Sequence, residues 1–394
     1  MSIKRPSRSE RASDTASEPV GKPDLRGRYA QTALVLQGGG ALGAYQAGVY
    51  EALCEADCEP DWLSGISIGA INAAIIAGNE PRMRLPRLRE FWEQSTSGFP
   101  WPVPDLGDEG RRFFNHISAA ASATFGQPGF FTPRLLPPLL QPHGSPSALS
   151  VYDTAPLRAT LESLIDFDLI NSRKTRLSLG AVNIRLGNFI YFDNAERDLT
   201  VDHVMASAAL PPGFPPVKIE GEYYWDGGLV SNTPLSQVLE SGPAEDTLVF
   251  QVDLFSARGE MPGDLLEAEA RRKQIVYSSR TRFNTDSFRQ KHALRCAIVR
   301  MFEQLPAELQ QSGEFRALRS LGDDHDIAIV HLIYRDASYE GQATDYEFSS
   351  ASMKEHWQAG LYDGRRTLRR PRWLEPWDTA DGVRVFDLTQ DSED

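Results

Sequence analysis

The chain has 394 residues, 41% of them hydrophobic and 24% charged, which is the composition of a globular protein with a sizeable core. Its formal net charge of −13 argues against nucleic acid as a partner and gives no long-range attraction to an anionic membrane. No apolar stretch reaches the roughly 18 residues of a membrane-spanning helix, and no signal-peptide apolar segment follows the basic N-terminus. We therefore expect no integral membrane segment and a cytoplasmic location. Any peripheral contact with a membrane or lipid body has to come from a local surface patch.

The first predicted elements follow a segment of low apolar content. Residues 1–28 are rich in Ser, Arg, Glu and Pro and are predicted to form a disordered tail. After it, TALVLQ is typical of a buried strand, and residues 41–55 are typical of a helix whose small residues allow close packing on a sheet. PDWLSGIS then predicts a short strand that runs into the helix IGAINAAIIAGN.

The later segments continue this alternation of strands and helices. Helices are predicted at APLRATLESLID and LSQVLES, and strands at TRLSLGAVNI, NFIYFDN, YYWDG, DTLVFQVDLF and DIAIVHLIYR. This order predicts an α/β fold whose central sheet is mostly parallel and covered by helices.

Composition also suggests how the chain is divided. We expect a main α/β domain at 29–255, a smaller and mainly helical accessory region at 256–372, and an acidic tail at 373–394. Within the main domain, residues 96–150 combine Pro, Phe, Trp and Leu. That mixture is typical of an irregular cap or lid over a site.

Three glycines in LVLQGGGALGAYQAG pose the first functional question. Gly38, Gly40 and Gly43 spell G-x-G-x-x-G between a predicted strand and a predicted helix, as in a dinucleotide-binding loop. Such a loop needs an acidic residue at the end of the second strand, but that strand ends in Gly-Ile-Ser. The alternative is that the N–H groups of Gly38, Gly39 and Gly40 stabilise a negative charge that develops during a reaction.

A candidate nucleophile stands in the next strand-to-helix junction. Gly65-Ile66-Ser67-Ile68-Gly69 has the G-x-S-x-G pattern of a nucleophile elbow in the context that the elbow requires. A turn of small residues that packs a helix on a sheet is the structural alternative. The position at the junction favours Ser67 as a catalytic nucleophile.

The partner of Ser67 is predicted to be an aspartate. Asp226 follows an aromatic, strand-forming run and precedes Gly227 and Gly228. An Asp-Gly hairpin turn is the alternative, but the following LVSNTPLSQVLE is typical of a loop and a helix instead of a returning strand. None of the seven histidines lies in a turn-like setting, and only one strand precedes the elbow, unlike in an α/β-hydrolase.

Together these three motifs resemble those of the patatin-like phospholipases. They occur in the same order and context, and the resemblance covers about residues 31–253, including SAALPPGFPPV and Asn232 with Pro234. It implies a three-layer α/β/α fold and hydrolysis of lipid acyl esters by a Ser-Asp dyad without histidine. The C-terminal part resembles the accessory region of some bacterial members.

The resemblance also implies a role for each matching residue. Ser67 would be the nucleophile and Asp226 the base, Gly38 to Gly40 would form the oxyanion hole, and the supporting motif positions would be Gly43, Gly65, Gly69, Gly227 and Gly228. Leu42 stands where many members have Arg or Lys, so neutral glycerides and simple fatty esters remain open as substrates beside phospholipids. The implied partner is a lipid or fatty acyl ester, with no cofactor and no metal.

Two matters stay open at this point. An acyltransferase or a regulatory lipid-binding protein on the same scaffold would carry the same motifs, because water and an alcohol compete for one acyl-enzyme. Aromatic and aliphatic residues near prolines could line an acyl channel, form a lid, dock on a membrane or simply pack in the core. These candidates are Phe113, Phe114, Phe130, Phe131, Leu135, Leu136, Leu139 and Leu140.

Overall fold

The computed structural model describes residues 29–96, 107–241, 245–278, 281–335, 344–369, 371–375 and 382–387. The strands in chain order are β1 (Gln31–Leu36), β2 (Trp62–Gly65), β3 (Thr132–Pro133), β4 (Tyr152–Asp153), β5 (Arg176–Asn183), β6 (Phe189–Asp193), β7 (Val217–Ile219), β8 (Glu222–Asp226), β9 (Thr247–Asp253), β10 (Ile327–Ile333) and β11 (Val383–Asp387).

The helices in chain order are α1 (Gly43–Glu55), α2 (Ile68–Ala77), α3 (Pro81–Ser95), α4 (Gly107–Phe125), α5 (Ala155–Leu164), α6 (Phe167–Asn171), α7 (Val201–Ser207), α8 (Leu235–Glu240), α9 (Leu265–Tyr277), α10 (Thr281–Glu303), α11 (Ala307–Gln310), α12 (Gly313–Arg319) and α13 (Ser350–Leu368).

Among the described residues, nine strands form one central sheet in the order β11-β10-β9-β1-β2-β5-β8-β7, and β6 pairs with β5 beside this path. The six strands from β11 to β5 are parallel, whereas β6, β7 and β8 run antiparallel to their neighbours. The predicted α/β class with a mostly parallel sheet is confirmed.

Helices cover both faces of this sheet. Leu34 and Leu36 of β1 share a core with α1 and α2, whereas the alternate residues Ala33 and Val35 share a second core with Leu235 and other residues of α8. The two-residue alternation of side chains along a strand accounts for this division. Every residue of α2 is buried, which explains why its sequence is apolar all round.

The register of the parallel strands fixes where the functional residues meet. Leu36 at the end of β1 lies opposite Gly65 at the end of β2, so the loops after both strands emerge at the same edge of the sheet. In β8, which runs the other way, Asp226 pairs with Ala181 of β5. The chain reversal at β8 therefore brings Asp226 towards that edge from the opposite direction.

The C-terminal region is mainly helical and also extends the sheet. β10 pairs with β9 in parallel, from Ile327 beside Thr247 onward, and β11 continues the sheet beyond β10. Helix α13 packs against α1 closely enough that a Cβ atom added at Gly360 would lie 2.0 Å from the carbonyl oxygen of Tyr45. The accessory region thus shares the central sheet and one helical layer with the main domain.

Residues 107–125 differ from the irregular structure predicted for the segment 96–150. They form the 19-residue helix α4. The prolines of the segment lie outside this stretch, so nothing interrupts the helix, and Asp108 and Glu109 favour its first turn. The predicted tail at 1–28 lies outside the described residues. Of the tail predicted at 373–394, the described residues include β11, which differs from a tail because it pairs with β10 in the central sheet.

The contact between α1 and α13 yields a test of the fold. A Cβ atom at Gly48 would lie 1.9 Å from the backbone oxygen of Trp357, so Gly48→Ala has to push the two helices apart. We expect this substitution to lower the free energy of unfolding by about 2–3 kcal/mol in urea denaturation. The control is Gly313→Ala, because a Cβ there meets no atom within 4 Å. Equal effects of the two substitutions would contradict the close packing.

Candidate active site

Ser67 lies in a sharp turn between β2 and α2. Its backbone has φ 56° and ψ −124°, a conformation that a residue with a side chain adopts only under constraint. Its N–H group donates to the backbone oxygen and to the hydroxyl of Ser207, each at 3.2 Å, and that hydroxyl donates to the carbonyl of Gly180. The turn is therefore held from α7 and β5, and Ser67 stands at the N-terminus of α2.

The glycines around this turn are required by space. A Cβ at Gly65 would lie 2.3 Å from the backbone oxygen of Gly69, and one at Gly69 would lie 2.3 Å from that of Leu36. Gly43 and Gly227 are equally confined, by the side chain of Ile68 at 2.5 Å and by the backbone oxygen of Gly180 at 2.7 Å. At Gly228 the nearest atom is the side-chain oxygen of Asn232, at 2.9 Å.

Asp226 is buried beside Ser67 at the end of β8. Its Oδ1 accepts a hydrogen bond of 2.7 Å from the N–H of Gly228, whereas its buried Oδ2 has no hydrogen-bond partner at normal distance among the described residues. Burial raises the pKa of Asp226 to about 7, although the Ser67 hydroxyl and the Gly228 N–H both act to lower it. The structure thus brings together a serine hydroxyl and a carboxylate that titrates near neutrality.

The glycine loop after β1 lies next to this pair. A Cβ added at Gly38 would be 3.1 Å from the Cβ of Ser67. The N–H of Gly38 already donates to the backbone oxygen of Asn232 at 3.1 Å, so it differs from the free donor that the sequence predicts. In the part of the chain that is described, the N–H groups of Gly39 and Gly40 donate to no acceptor.

Asn232 fixes the position of this loop. Its side-chain nitrogen donates to the carbonyl of Gly38 at 2.9 Å and to the carbonyl of Tyr277 at 3.0 Å. Gln37 adds a second connection. Its side-chain nitrogen donates to the hydroxyl of Thr233 and to the carbonyl of Tyr277, and its side-chain oxygen accepts hydrogen bonds from the two N–H groups that follow β9. The two amide side chains join the glycine loop, the loop after β8 and the end of α9.

The C-terminal region also touches the glycine loop. Gly40 has φ +56°, and a Cβ there would lie 2.2 Å from the backbone oxygen of Asp345. The carboxylate of Asp345 forms an ion pair with Lys273, and the ammonium group of Lys273 lies 4.7 Å from the ring centroid of Tyr346. No motif in the sequence points to Tyr277, Asp345 or Tyr346, because their role depends on contacts over long sequence separation.

A cavity of about 140 Å³ opens beside Ser67. Most of its lining residues are apolar or aromatic, and Asp226 and Asp345 are the charged residues among them. The lining residues are Gly38, Gly39, Gly40, Ser67, Ile68, Ile71, Ser122, Ala123, Phe130, Phe131, Tyr152, Ala208, Leu210, Pro211, Pro212, Gly213, Phe214, Asp226, Gly228, Asn232, Phe255, Tyr277, Asp345, Tyr346 and Phe348.

The eight predicted lid or channel residues separate into two groups. Phe130 and Phe131 are buried and line the cavity, and Phe114 is a buried residue of α4. The other five side chains are exposed: Phe113, Leu135, Leu136, Leu139 and Leu140.

No histidine and no cysteine lies among the described residues that line the cavity. Burial lowers the pKa of His331, in β10, to about 4. Burial, with the charge of Glu59, raises the pKa of the Cys54 thiol to about 12, which opposes a reactive role. Among the described residues no group of three or more His, Cys, Asp or Glu could hold a metal ion.

Comparison with protein families decides the assignment of the chain. The model of the patatin-like phospholipase family matches residues 34–239, which include the glycine loop, Ser67 and Asp226. The chain belongs to the patatin-like phospholipase family. A second model, described as patatin phospholipase, matches residues 275–380 of the C-terminal region. Membership in the family supports the interpretation that the protein is a lipid acyl hydrolase.

Individual relatives of this patatin-like protein are more distant. Triacylglycerol lipase SDP1L of Arabidopsis thaliana is 35% identical over 72 residues, which is 18% of this chain and 8% of that protein. VipD from Legionella pneumophila is 15% identical, with a TM-score of 0.33 and 84% of this chain and 67% of VipD covered. ExoU of Pseudomonas aeruginosa, solved in complex with SpcU, gives a structural match with 16% identity and a TM-score of 0.24. The match covers 86% of this chain and 78% of the matched chain.

The described helices of this patatin-like protein include none that combines the length and apolar character needed to cross a bilayer.

The raised pKa of Asp226 predicts how stability depends on pH. The unfolded chain loses this proton near pH 4, and the folded chain loses it near pH 7, so the free energy of unfolding falls as the pH rises between these values. Asp226→Asn removes this loss. We expect the stability of the variant relative to wild type to rise by about 2–4 kcal/mol from pH 4 to pH 8.

Urea denaturation of both proteins at the two pH values measures this difference. A relative stability that stays constant with pH, or that falls towards pH 8, would contradict a carboxyl group whose pKa is raised in the folded state.

Proposed function

We propose that the protein is a serine hydrolase of lipid acyl esters in which Ser67 is the nucleophile and Asp226 the base. The observation that carries this proposal is the buried carboxylate of Asp226, which has one oxygen without a partner beside the hydroxyl of Ser67. A base is most effective when its pKa lies near the working pH, and burial raises the pKa of Asp226 to about 7.

The first half of the reaction forms an acyl-serine. Oδ2 of Asp226 accepts the hydroxyl proton while Oγ of Ser67 attacks the ester carbonyl, and the carbonyl oxygen becomes an oxyanion. The N–H groups of Gly39 and Gly40 are the donors for this oxyanion, and Gly38 holds the loop through its hydrogen bond to Asn232. The intermediate then collapses, and the leaving alcohol takes the proton from Asp226.

The second half releases the fatty acid. Asp226 accepts a proton from a water molecule that attacks the acyl carbonyl, and the same N–H groups hold the second oxyanion. Collapse breaks the bond to Oγ, and the proton returns from Asp226 to Ser67. The N-terminus of α2 at Ser67 adds a favourable field for negative charge on Oγ.

The charges around the cavity favour a neutral ester. Asp226 and Asp345 are the charged residues that line it, and Lys273 already forms an ion pair with Asp345. Among the described residues that line the cavity, a phosphate group close to Ser67 would meet carboxylates and no cation, and Leu42 is apolar and buried. We therefore propose glycerides or simple fatty esters as the preferred substrates, and the partial match to a triacylglycerol lipase supports this choice.

Kinetics on a water-soluble short-chain ester test the dyad. With Asp226 as the base, kcat/KM is expected to fall as the pH drops below about 7, by about tenfold per pH unit. Asp226→Asn is expected to lower kcat on the order of 10³-fold while thermal unfolding stays cooperative. An Asn variant that retains most of its activity, or a profile that stays flat from pH 8 to pH 5, would contradict the assignment.

Product analysis tests the substrate class. We expect faster release of fatty acid from emulsified triacylglycerol than from phosphatidylcholine vesicles, because a glyceride brings no phosphate to the two carboxylates. Ser67→Ala is the control and should release nothing from either. Preferred cleavage of phosphatidylcholine would contradict the neutral-ester proposal, and transfer of the acyl group to added glycerol in place of water would indicate an acyltransferase.

A further inference from the structure

One segment around the cavity has a charge unlike that of the whole chain. Residues 110–152 contain no aspartate and no glutamate, although 54 of the 394 residues are acidic. Two of its three arginines are engaged: Arg111 pairs with Glu355, and Arg134 contacts Ser150 and Asp153. The segment therefore presents no acidic group to repel a headgroup phosphate, and these two arginines do not stand free to attract one.

The same segment exposes large apolar side chains. Leu135 and Leu139 are almost completely exposed, at 105% and 97%. Neighbouring Leu140 and, on α4, Phe113, Ile117 and Phe125 are also exposed. We call these six residues the apolar rim.

The apolar rim is continuous with the cavity. Ser122 and Ala123 of α4 line the cavity three and two residues before Phe125. Tyr152 also lines it, and its hydroxyl donates to the carbonyl of Ala123 at 2.8 Å. On the other side, the N–H groups of Val151 and Tyr152 donate to the carbonyls of Pro212 and Gly213, two further lining residues. The helix and the loop that carry the rim thus both border the opening beside Ser67.

We propose that the apolar rim docks this protein on the surface of a phospholipid bilayer and places the cavity opening against the lipid. The proposal deepens the proposed function, because a glyceride or fatty ester dissolved in the bilayer would reach the same site from the lipid. The prolines at 133, 137, 138, 142 and 146 have no N–H group, so they add no backbone donor that would be left unpaired among acyl chains. Transfer of leucine and phenylalanine side chains from water to the acyl chains is favourable and requires no polar partner.

The charge pattern predicts which bilayer binds best. Attachment through the rim is apolar, whereas the net charge of −13 repels an anionic surface over about 10 Å at 0.1 M salt. The protein should therefore bind zwitterionic vesicles more tightly than anionic ones at low ionic strength. Added salt should reduce that difference and leave binding to zwitterionic vesicles nearly unchanged.

The test uses the Ser67→Ala protein, so that binding is measured without turnover. In co-sedimentation with phosphatidylcholine vesicles, Leu135→Ser, Leu139→Ser and Leu140→Ser together are expected to weaken binding by about a hundredfold. A second variant, Phe113→Ser with Phe125→Ser, changes only α4 and should weaken binding in the same direction. Thermal unfolding of each variant checks that the fold is retained.

The matched control is Leu294→Ser with Leu321→Ser. Both leucines are exposed, and Leu321 precedes β10 at the edge of the parallel sheet opposite the site. This pair should bind vesicles as the parent does. Loss of binding equal to that of the rim variants, or rim variants that bind as the parent does, would overturn the proposal. So would binding that depends on anionic lipid, or self-association that the rim substitutions abolish in a protein that binds no vesicles.

Activity on a soluble ester separates this proposal from the catalytic one. In the protein that retains Ser67, the triple leucine variant should hydrolyse a short-chain soluble ester within about twofold of the wild-type rate, because its changes lie outside the cavity lining. If the soluble ester is not hydrolysed by either protein but vesicles are still bound through the rim, the catalytic proposal fails and the docking surface stands.

Discussion

The structure of the site depends on keeping the carboxylate of Asp226 out of water and next to Ser67. Burial disfavours the charged form and raises the pKa to about 7, and one N–H group, from Gly228, satisfies only one of the two carboxylate oxygens. The fold therefore carries an energetic cost at this point, since a neutral residue would be buried more easily. In the proposed chemistry this carboxylate is the base, because its second oxygen has no hydrogen-bond partner among the described residues.

The surrounding elements keep this arrangement in place. β8 runs against β5 and delivers Asp226 to the edge where the parallel strands β1 and β2 end. Asn232 and Gln37 tie the glycine loop to the loop after β8 and to the end of α9 through buried hydrogen bonds. Buried polar networks of this kind specify one geometry because each unmade hydrogen bond would be costly. Loops that would otherwise be free to move are thus fixed around Ser67.

Much of this could be predicted from the sequence, because the decisive features are local. The apolar runs and small-residue helices predict the α/β class, and the two glycines beside Ser67 stand within five residues of one another, with Gly65 confined by the backbone oxygen of Gly69. The cap region was less predictable, because its overall composition concealed the proline-free stretch that forms α4. Tyr277, Asp345 and Tyr346 line the cavity because segments far apart in sequence pack together, and such packing leaves no periodic signal in the sequence. Likewise, only the fold shows that the N–H group of Gly38 donates to the backbone oxygen of Asn232, whereas those of Gly39 and Gly40 have no acceptor among the described residues.

The central claim is that Ser67 is an activated nucleophile, and covalent labelling tests it most directly. Intact protein would be treated with a long-chain fluorophosphonate, and its mass would be measured for wild type, Ser67→Ala and Asp226→Asn. The account predicts a single adduct on wild type, none on Ser67→Ala and much slower labelling of Asp226→Asn, because the base that removes the hydroxyl proton is missing. A folded wild-type protein that forms no adduct, or an adduct that persists in Ser67→Ala, would contradict it.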